Sequence, residues 1–143
     1  MKRTHFTDRE LDFLTRMRVG RLATADAAGQ PHVVPVLFAT DGRNIYTPLD
    51  EKPKRVQPRE LKRVRNLFEN PKVAFIVDRY DEDWTQLEWL LVRGMGALVE
   101  NGEGHVIGVR LLEEKYAQYE RMPLKDRPLI VITPSHVTGW KAV

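Results

Sequence analysis

The sequence of 143 residues contains no cysteine. This absence excludes disulfide bonds, cysteine-ligated zinc, iron–sulfur clusters and a cysteine nucleophile. The four histidines do not have the spacing typical of metal ligands, so we expect no metal site. They are His5, His32, His105 and His136.

Long apolar runs are also absent. No run approaches the ~18 residues that a membrane-spanning helix requires. No apolar segment of the signal-peptide type follows the basic start of the chain. We therefore expect a cytoplasmic protein that makes no membrane contact.

Several common nucleotide-binding and catalytic motifs are missing as well. The sequence has no GxGxxG and no Walker A motif, and no GxSxG nucleophile motif. Together with the lack of metal-ligand spacing, these absences give hydrolase and metalloenzyme functions little support.

The length suits a single domain spanning residues 1–143, and hydrophobic periodicity predicts mainly strands. Predicted strands cover residues 19–26, 32–39, 44–47, 73–77, 87–99, 129–133 and 137–141, and predicted helices cover 7–18, 58–69 and 106–120. We expect the first three strands to form an antiparallel meander. The pattern favours an antiparallel barrel with added helices, of the α+β or all-β class.

Local signals sharpen these predictions. Thr7 and Glu10 match a capping box at the start of the first helix. Pro35 cannot donate to a strand ladder, so its strand requires an edge, a bulge or a gap that faces a ligand. Gly94 predicts a bulge or bend in the long strand. The second helix has an apolar stripe, formed by Leu61, Val64, Leu67 and Phe68.

A basic segment lies between residues 52 and 65. It carries a single acid, Glu60, and seven cations, which are Lys52, Lys54, Arg55, Arg59, Lys62, Arg63 and Arg65. Backbone amides at a helix N-terminus favour anions, and the Thr47 hydroxyl at a strand end could add a donor. The segment therefore predicts either a phosphate site or a solvated basic face.

A strand interrupted by proline runs through residues 30–36. Val33, Val34, Pro35 and Val36 could lay their backbone against a flat ring, whose polar edge would bond the free amides and carbonyls. A plain edge strand is the alternative. We expect His32 to lie at the surface or at an interface.

Acidic and aromatic residues cluster at positions 78–84. The carboxylates could bind a cation, act in acid–base catalysis, pair with the basic segment, or simply face solvent. We expect Trp84, Trp89 and Trp140 to lie in the core or at a dimer interface.

With these segments placed, the chain resembles the deazaflavin-dependent oxidoreductases of the pyridoxamine 5′-phosphate oxidase-like class. The resemblance depends on several motifs together. No single motif is diagnostic, but the order and spacing of the motifs are specific over nearly the whole chain. The motifs are GRLATAD (20–26), GQPHVVPV (29–36), TPLDEKPK (47–54), LKRVRNL (61–67), NPKVA (70–74) and DRYDEDW (78–84).

The resemblance implies a six- to seven-stranded antiparallel split β-barrel with flanking helices, of the FMN-binding type. It also implies a homodimer with a cofactor in each groove between subunits. Lys52, Lys54 and Arg55, with Thr47, match the positions that hold the phosphate, and residues 33–36 match the strand that faces the ring. Family members often use no protein acid or base, so we assign no catalytic residue. The protein would supply binding, orientation and water exclusion.

Two cofactors fit this class. FMN carries one terminal phosphate, whereas coenzyme F420 carries a phosphodiester and a polyglutamate tail. The basic segment is longer than one phosphate requires, and Arg59, Lys62 and Arg63 could meet an anionic tail. We therefore expect hydride transfer between F420 and a small organic acceptor, with FMN as the alternative cofactor. The chain lacks the C-terminal extension of true pyridoxamine phosphate oxidases, which argues against the vitamin substrate.

Two other function classes compete with a redox enzyme. One is a non-catalytic protein that stores or carries a flavin or deazaflavin. The other is a nucleic-acid-binding barrel, suggested by the basic segment. The missing aromatic RNA-binding pattern and the acidic loop argue against nucleic acid.

Overall fold

The computed structural model describes residues 2–49 and 57–143, in which strands and helices are interleaved along the chain. The strands are β1 (Gly20–Ala25), β2 (Pro31–Val36), β3 (Ala39–Thr40), β4 (Ile45–Pro48), β5 (Lys72–Arg79), β6 (Glu88–Val99) and β7 (Leu129–Lys141). The α-helices are α1 (Asp8–Arg16), α2 (Lys62–Glu69) and α3 (Glu103–Lys115), and short 3₁₀ helices cover Pro58–Glu60, Trp84–Gln86 and Ala117–Glu120.

Helix α1 begins as its sequence predicts. The Thr7 Oγ1 accepts a hydrogen bond from the Glu10 amide at 3.2 Å, and the Glu10 carboxylate accepts one from the Thr7 amide at 2.9 Å. This reciprocal pair confirms the capping box. Helix α1 then buries Phe13 and Leu14 in the core.

The seven strands form one sheet in the order β2-β1-β5-β6-β7-β4-β3, and every neighbouring pair is antiparallel. This confirms the predicted seven-stranded antiparallel architecture with flanking helices. The predicted meander is wrong, because the β3–β4 hairpin lies at the opposite end of the sheet from β1–β2. It pairs there with β7, which places Tyr46 opposite Val131.

The last strand, β7, runs unbroken over 13 residues, so the prediction of two short strands is wrong. A register shift between β6 and β7 accommodates Pro134. Arg93 lies opposite His136, and Gly94 lies opposite Pro134, which leaves Ser135 as the extra residue of a bulge. The bulge removes the need for a ladder donor at the proline and confirms the irregularity predicted at Gly94.

Helix α2 packs the predicted residues Leu61, Val64 and Leu67 against the core. Phe68 was wrongly assigned to this stripe, because its side chain is 62% exposed. The Arg59 guanidinium carbon lies 5.4 Å from the Phe68 ring centroid instead. Helix α3 starts three residues earlier than predicted and ends at Lys115.

The core has two parts. The larger cluster fills the space between the sheet and helices α1 and α2, with Leu22, Phe75 and Val92 at its centre. The second cluster lies under α3 and contains Tyr46 and Leu112. None of the helices within residues 2–49 and 57–143 is both long and apolar enough to cross a membrane.

The tryptophans lie outside this core. Trp84 and Trp140 are exposed, so a core position is wrong for both. Trp89 is half-buried and lies opposite Trp140 in the β6–β7 ladder. Their proposed interface role is not tested by a single chain.

Candidate functional site

Strand β2 ends the sheet, and only β1 pairs with it among the described strands. This position explains how Pro35 is tolerated without an amide donor. Side chains alternate along the strand: Val33 is 62% exposed and Pro35 is exposed, whereas Val34 is half-buried and Val36 is buried. The four predicted ring-facing residues therefore divide between two faces.

The inward residues of β2 join α2 in a single cluster. Val36 is buried with Leu49 and Val64, and Val34 packs against the same cluster. Leu49 follows β4 directly, and Val64 lies in the first turn of α2. Strand β2, the end of β4 and the start of α2 therefore contribute side chains to the same hydrophobic core.

The start of α2 is cationic. The N-cap residue Leu61 has no side chain that could cap the first amides, so this end favours an anion. Arg63 lies in the first turn and is only 9% exposed.

Two other described cations of the basic segment, Arg59 and Lys62, contact carboxylates of this chain. The Arg59 Nη2 lies 2.9 Å from the Glu100 Oε1, and the Lys62 Nζ lies 3.8 Å from the Asp26 Oδ2. Arg59 is more than half exposed, so its pair with Glu100 is worth little energy in water. Both cations stay available to a stronger anion.

Thr47 lies on β4 and is fully buried, yet its Oγ1 has no hydrogen-bond partner among the described residues. Leaving a buried hydroxyl unpaired costs about 1–3 kcal/mol. A phosphate oxygen would accept from this hydroxyl, so the arrangement fits a bound phosphate group. Thr47 is therefore a predicted site residue whose buried hydroxyl has no hydrogen-bond partner in the described chain.

Asn66 is a buried polar residue of α2 that the sequence analysis did not single out as a candidate. It is fully buried in α2, its Nδ2 donates to the Thr24 Oγ1 at 3.0 Å, and its Oδ1 accepts no bond from the described residues. Asn66 lies three positions after Arg63, so the two share one face of the helix. The sequence signal for Asn66 was its three-residue spacing from Arg63, which places a second polar residue on an otherwise apolar helix face.

A surface pocket of about 550 Å³ opens beside α2. Arg59 and Phe68 form one wall, and Gly96, Leu98 and Glu100 form the other. The wall is mostly apolar, with one cation and one anion at its rim. It could accept a flat apolar group with a polar edge.

Lys52, Lys54 and Arg55 lie outside the described residues, so their place in a phosphate site stays a prediction. The chain connects them to both described parts of the site, since β4 ends shortly before them and the 3₁₀ helix Pro58–Glu60 follows them.

The acidic residues 78–84 do not meet the described part of the basic segment. Asp78 pairs with Arg21 at 2.9 Å, and Asp81 lies 3.5 Å from Arg79. The Asp83 carboxylate caps the next short helix by accepting from the Thr85 amide at 3.1 Å. Ion pairs and turn hydrogen bonds therefore account for Asp78, Asp81 and Asp83, and acid–base catalysis gains no support.

Fold and site together define an antiparallel split barrel with an exposed edge strand and a cationic helix start. Residues 6–141 match the family model described as pyridoxamine 5′-phosphate oxidase. The chain belongs to this family.

Comparison with a curated protein gives one partial relative. Over 76 residues the chain is 40% identical to the 5a,11a-dehydrotetracycline/5a,11a-dehydrooxytetracycline reductase of Streptomyces rimosus. The match covers 51% of this chain and 49% of the relative, so it spans about half the length of that reductase.

Solved structures share the fold at low identity. A conserved hypothetical protein from Mycobacterium tuberculosis has a TM-score of 0.76 at 22% identity, over 99% of this chain and 89% of that one. An FAD-binding protein from Mesorhizobium loti has a TM-score of 0.69 at 24% identity, over 96% of each chain. These likenesses confirm the split-barrel fold.

Proposed function

We propose that the protein is a homodimeric oxidoreductase that transfers a hydride between the deazaflavin coenzyme F420 and a small organic acceptor. Membership of the pyridoxamine 5′-phosphate oxidase family supports redox chemistry with a flavin-type cofactor. The similar reductase of Streptomyces rimosus and the FAD-binding protein of similar fold support it further.

The buried Thr47 hydroxyl is the observation that carries this proposal. This hydroxyl has no hydrogen-bond partner among the described residues. Thr47 lies near the end of β4, and the basic segment follows shortly after that strand. Thr47, the first-turn amides of α2 and Arg63 would hold the phosphate, together with Lys52, Lys54 and Arg55. Each of these groups is a hydrogen-bond donor or a cation, as phosphate recognition requires.

Strand β2 would hold the ring. Its outer edge carries backbone amides and carbonyls that no described strand uses, and these can bond the polar rim of a flat heterocycle. Val33 and Pro35 add an exposed apolar surface beside that edge. When bound, the coenzyme supplies the hydride donor or acceptor. The residues of this chain orient the ring and exclude water, and no protein acid or base is required.

The number of cations favours F420 over FMN. A single phosphate is satisfied by Thr47, the helix start and two or three cations. Arg59 and Lys62 then remain, and each has only a weak carboxylate partner within the described chain. An extended anionic tail would engage both.

The outward face of the sheet supports a dimer. The register places Val33 beside Ala23 and Ala23 beside Ala74, and Ile76 beside Leu91 on the next row. These side chains point away from the core residues Leu22, Phe75 and Val92, which alternate with them. Arg21 and Arg93 share this face and border the apolar residues, and an exposed apolar patch rimmed by polar residues is typical of an interaction surface.

The acceptor class is proposed from chemistry. The similar Streptomyces protein is named as a reductase of a dehydrotetracycline, and hydride transfer suits electron-poor double bonds. We propose an enone, a quinone or a similar conjugated acceptor.

A cofactor titration tests the proposal. Each of F420 and FMN is added to the purified protein while the fluorescence of its three tryptophans is followed. We expect both to bind, and F420 to bind more tightly. If neither cofactor binds, the proposal is wrong; if only FMN binds, the FMN alternative replaces F420.

A double variant tests the phosphate site. We expect Lys52→Ala plus Lys54→Ala to weaken F420 binding at least tenfold, since each lost charge-assisted bond costs about 1.5–3 kcal/mol. The charge-matched control is Lys125→Ala plus Lys141→Ala, which removes two exposed lysines elsewhere and should leave affinity unchanged. Equal affinities in the two variants would place the phosphate elsewhere. Tight binding without turnover against a panel of enones and quinones would favour the non-catalytic alternative.

A further inference from the structure

A second pocket, of about 370 Å³, lies on another side of the molecule, between α1 and α3. Leu14, Ala39 and Leu111 are its apolar lining residues. Its charged lining residues are two cations, Arg18 and Lys115, and one carboxylate, Glu114, so the charged lining is net cationic. None of these residues belongs to β2, to the end of β4 or to α2, so this pocket is separate from the proposed cofactor site.

The Lys115 amine lies at the wall of this pocket in a mostly apolar setting. Its Nζ donates to the Leu14 carbonyl at 3.0 Å and lies 3.8 Å from the centroid of the Phe38 ring. No carboxylate within residues 2–49 and 57–143 forms an ion pair with it. The amine is therefore held by a carbonyl and an aromatic face, while a cation stands nearby.

These surroundings weaken the charged form of the amine. Burial is the larger cause and the nearby Arg18 guanidinium the smaller, and together they lower the pKa of Lys115 to about 8. Near neutral pH a substantial share of Lys115 is the free amine, which is the nucleophilic form. An ordinary exposed lysine has a pKa of about 10.4, so almost none of it is uncharged at that pH.

We propose that Lys115 is a modification site that accepts a small acyl group from acyl phosphates. The pocket gives the donor room beside the amine. Arg18 is exposed at its rim, where its guanidinium can attract the donor's phosphate.

The step is a simple acyl transfer. The neutral Lys115 nitrogen attacks the acyl carbon, an N–C bond forms and the C–O bond to phosphate breaks. Phosphate leaves with the electron pair of that bond, and the amine proton passes to water. No atom is oxidised or reduced.

Acylation would loosen the contact between α1 and α3. The amide nitrogen keeps one N–H in place of three, and the loss of charge removes the attraction to the Phe38 ring. The Leu14 carbonyl, near the end of α1, then loses a charged donor. Acylation of Lys115 would therefore weaken the contact that α3 makes with α1.

Labelling of the intact protein tests the proposal. The protein is treated with acetyl phosphate between pH 6 and 9, digested, and the initial acetylation rate at each lysine is measured by mass spectrometry. At pH 7.5 we expect Lys115 to react about tenfold faster than exposed Lys125, because far more of it is uncharged. The rate at Lys115 should level off above about pH 8, where its amine is largely uncharged.

Acetic anhydride, an uncharged donor, separates amine reactivity from phosphate attraction. Preferential labelling of Lys115 by both donors supports the proposal, and Arg18→Gln should then slow the reaction with acetyl phosphate more than the reaction with the anhydride. Labelling of Lys115 no faster than Lys125 by either donor would overturn it. Preference with the anhydride alone would overturn the assignment of acyl phosphates.

Discussion

The Tyr116 hydroxyl accepts a hydrogen bond from the Phe38 amide at 3.1 Å and lies 2.9 Å from both the Phe38 and Arg18 carbonyls. One buried side chain at the end of α3 thereby satisfies backbone groups in two other segments, at the start of β1 and between β2 and β3. Strand β1 lies near one end of the sheet and β3 lies at the other end. The Tyr116 hydroxyl therefore links residues next to two distant strands.

We expect Tyr116→Phe to destabilise the protein by about 1–3 kcal/mol, because the buried Phe38 amide loses its acceptor. Denaturant unfolding followed by circular dichroism measures the change. The matched control is Tyr80→Phe, which removes a hydroxyl from an exposed ring and should change stability by less than about 0.5 kcal/mol. Similar losses for the two variants would contradict the assigned role.

Glu10 links the start of α1 to Arg3. Its side chain is buried, and the Arg3 Nη2 donates to its Oε2 at 3.1 Å. Burial alone would raise the pKa of Glu10, but the hydrogen bonds from Arg3 and Thr7 outweigh burial and lower it. The stability from this ion pair is therefore present above the unfolded-state pKa of about 4.3 and is lost as pH falls through the lower folded-state value.

We expect Glu10→Gln to lose about 1–2 kcal/mol at pH 7, less than a fully buried pair because Arg3 is partly exposed. Glutamine still completes the capping box, so the charge alone is tested. The difference in the free energy of unfolding between Glu10→Gln and the wild-type protein should be smaller at pH 3 than at pH 7, as measured by urea denaturation. Asp12→Asn, which breaks an exposed pair with Arg16, should cost only a few tenths of a kcal/mol. A difference that does not depend on pH would contradict the ion-pair explanation.

Two glycines of α3, one turn apart, should respond in opposite directions. A Cβ on Gly104 would meet no atom within 4 Å, whereas a Cβ on Gly108 would lie 2.6 Å from Tyr46 and Leu129 side-chain atoms. Gly104→Ala should stabilise the protein by about 0.5–1 kcal/mol through helix propensity. Gly108→Ala should destabilise it by about 1–3 kcal/mol through overpacking. Thermal unfolding of both variants measures this, and a stabilised Gly108→Ala would show that α3 does not pack as described.

The proposed dimer can be tested at Ile76, a half-buried residue on the outward sheet face. We expect Ile76→Glu to convert the protein to a monomer, because a charge would be buried in the apolar interface. Light scattering after size-exclusion chromatography gives the mass. Val106→Glu introduces the same charge at a 66% exposed position of α3 and should leave the mass unchanged. A monomeric parent protein, or a dimeric Ile76→Glu variant, would rule this face out as the interface.

Local sequence signals predicted much of the framework. Thr7 and Glu10 indicated where α1 begins, and Pro35 indicated an edge strand. The basic segment predicted a cationic helix start, where the structure buries Arg63. Each of these features depends on residues close together in the chain, so a short window of sequence contains the physical cause.

Other features were missed because they depend on distant partners. The place of the β3–β4 hairpin follows from pairing with β7, more than eighty residues away. Residues 129–133 and 137–141 were predicted as two strands, but a bulge next to Gly94 keeps β7 continuous. Phe68 fits the apolar period of α2, yet it lies where the helix turns from the core to solvent.

By itself, the sequence determined the antiparallel class, the start of α1 and the basic segment, because capping, strand alternation and charge act over a few neighbouring residues. Only the tertiary structure decided which strands are neighbours, that Thr47 is buried without a partner in the described chain, and that Lys115 is desolvated beside Phe38. Burial and electrostatic environment are set by residues that folding brings together from far along the chain, and no local pattern records them.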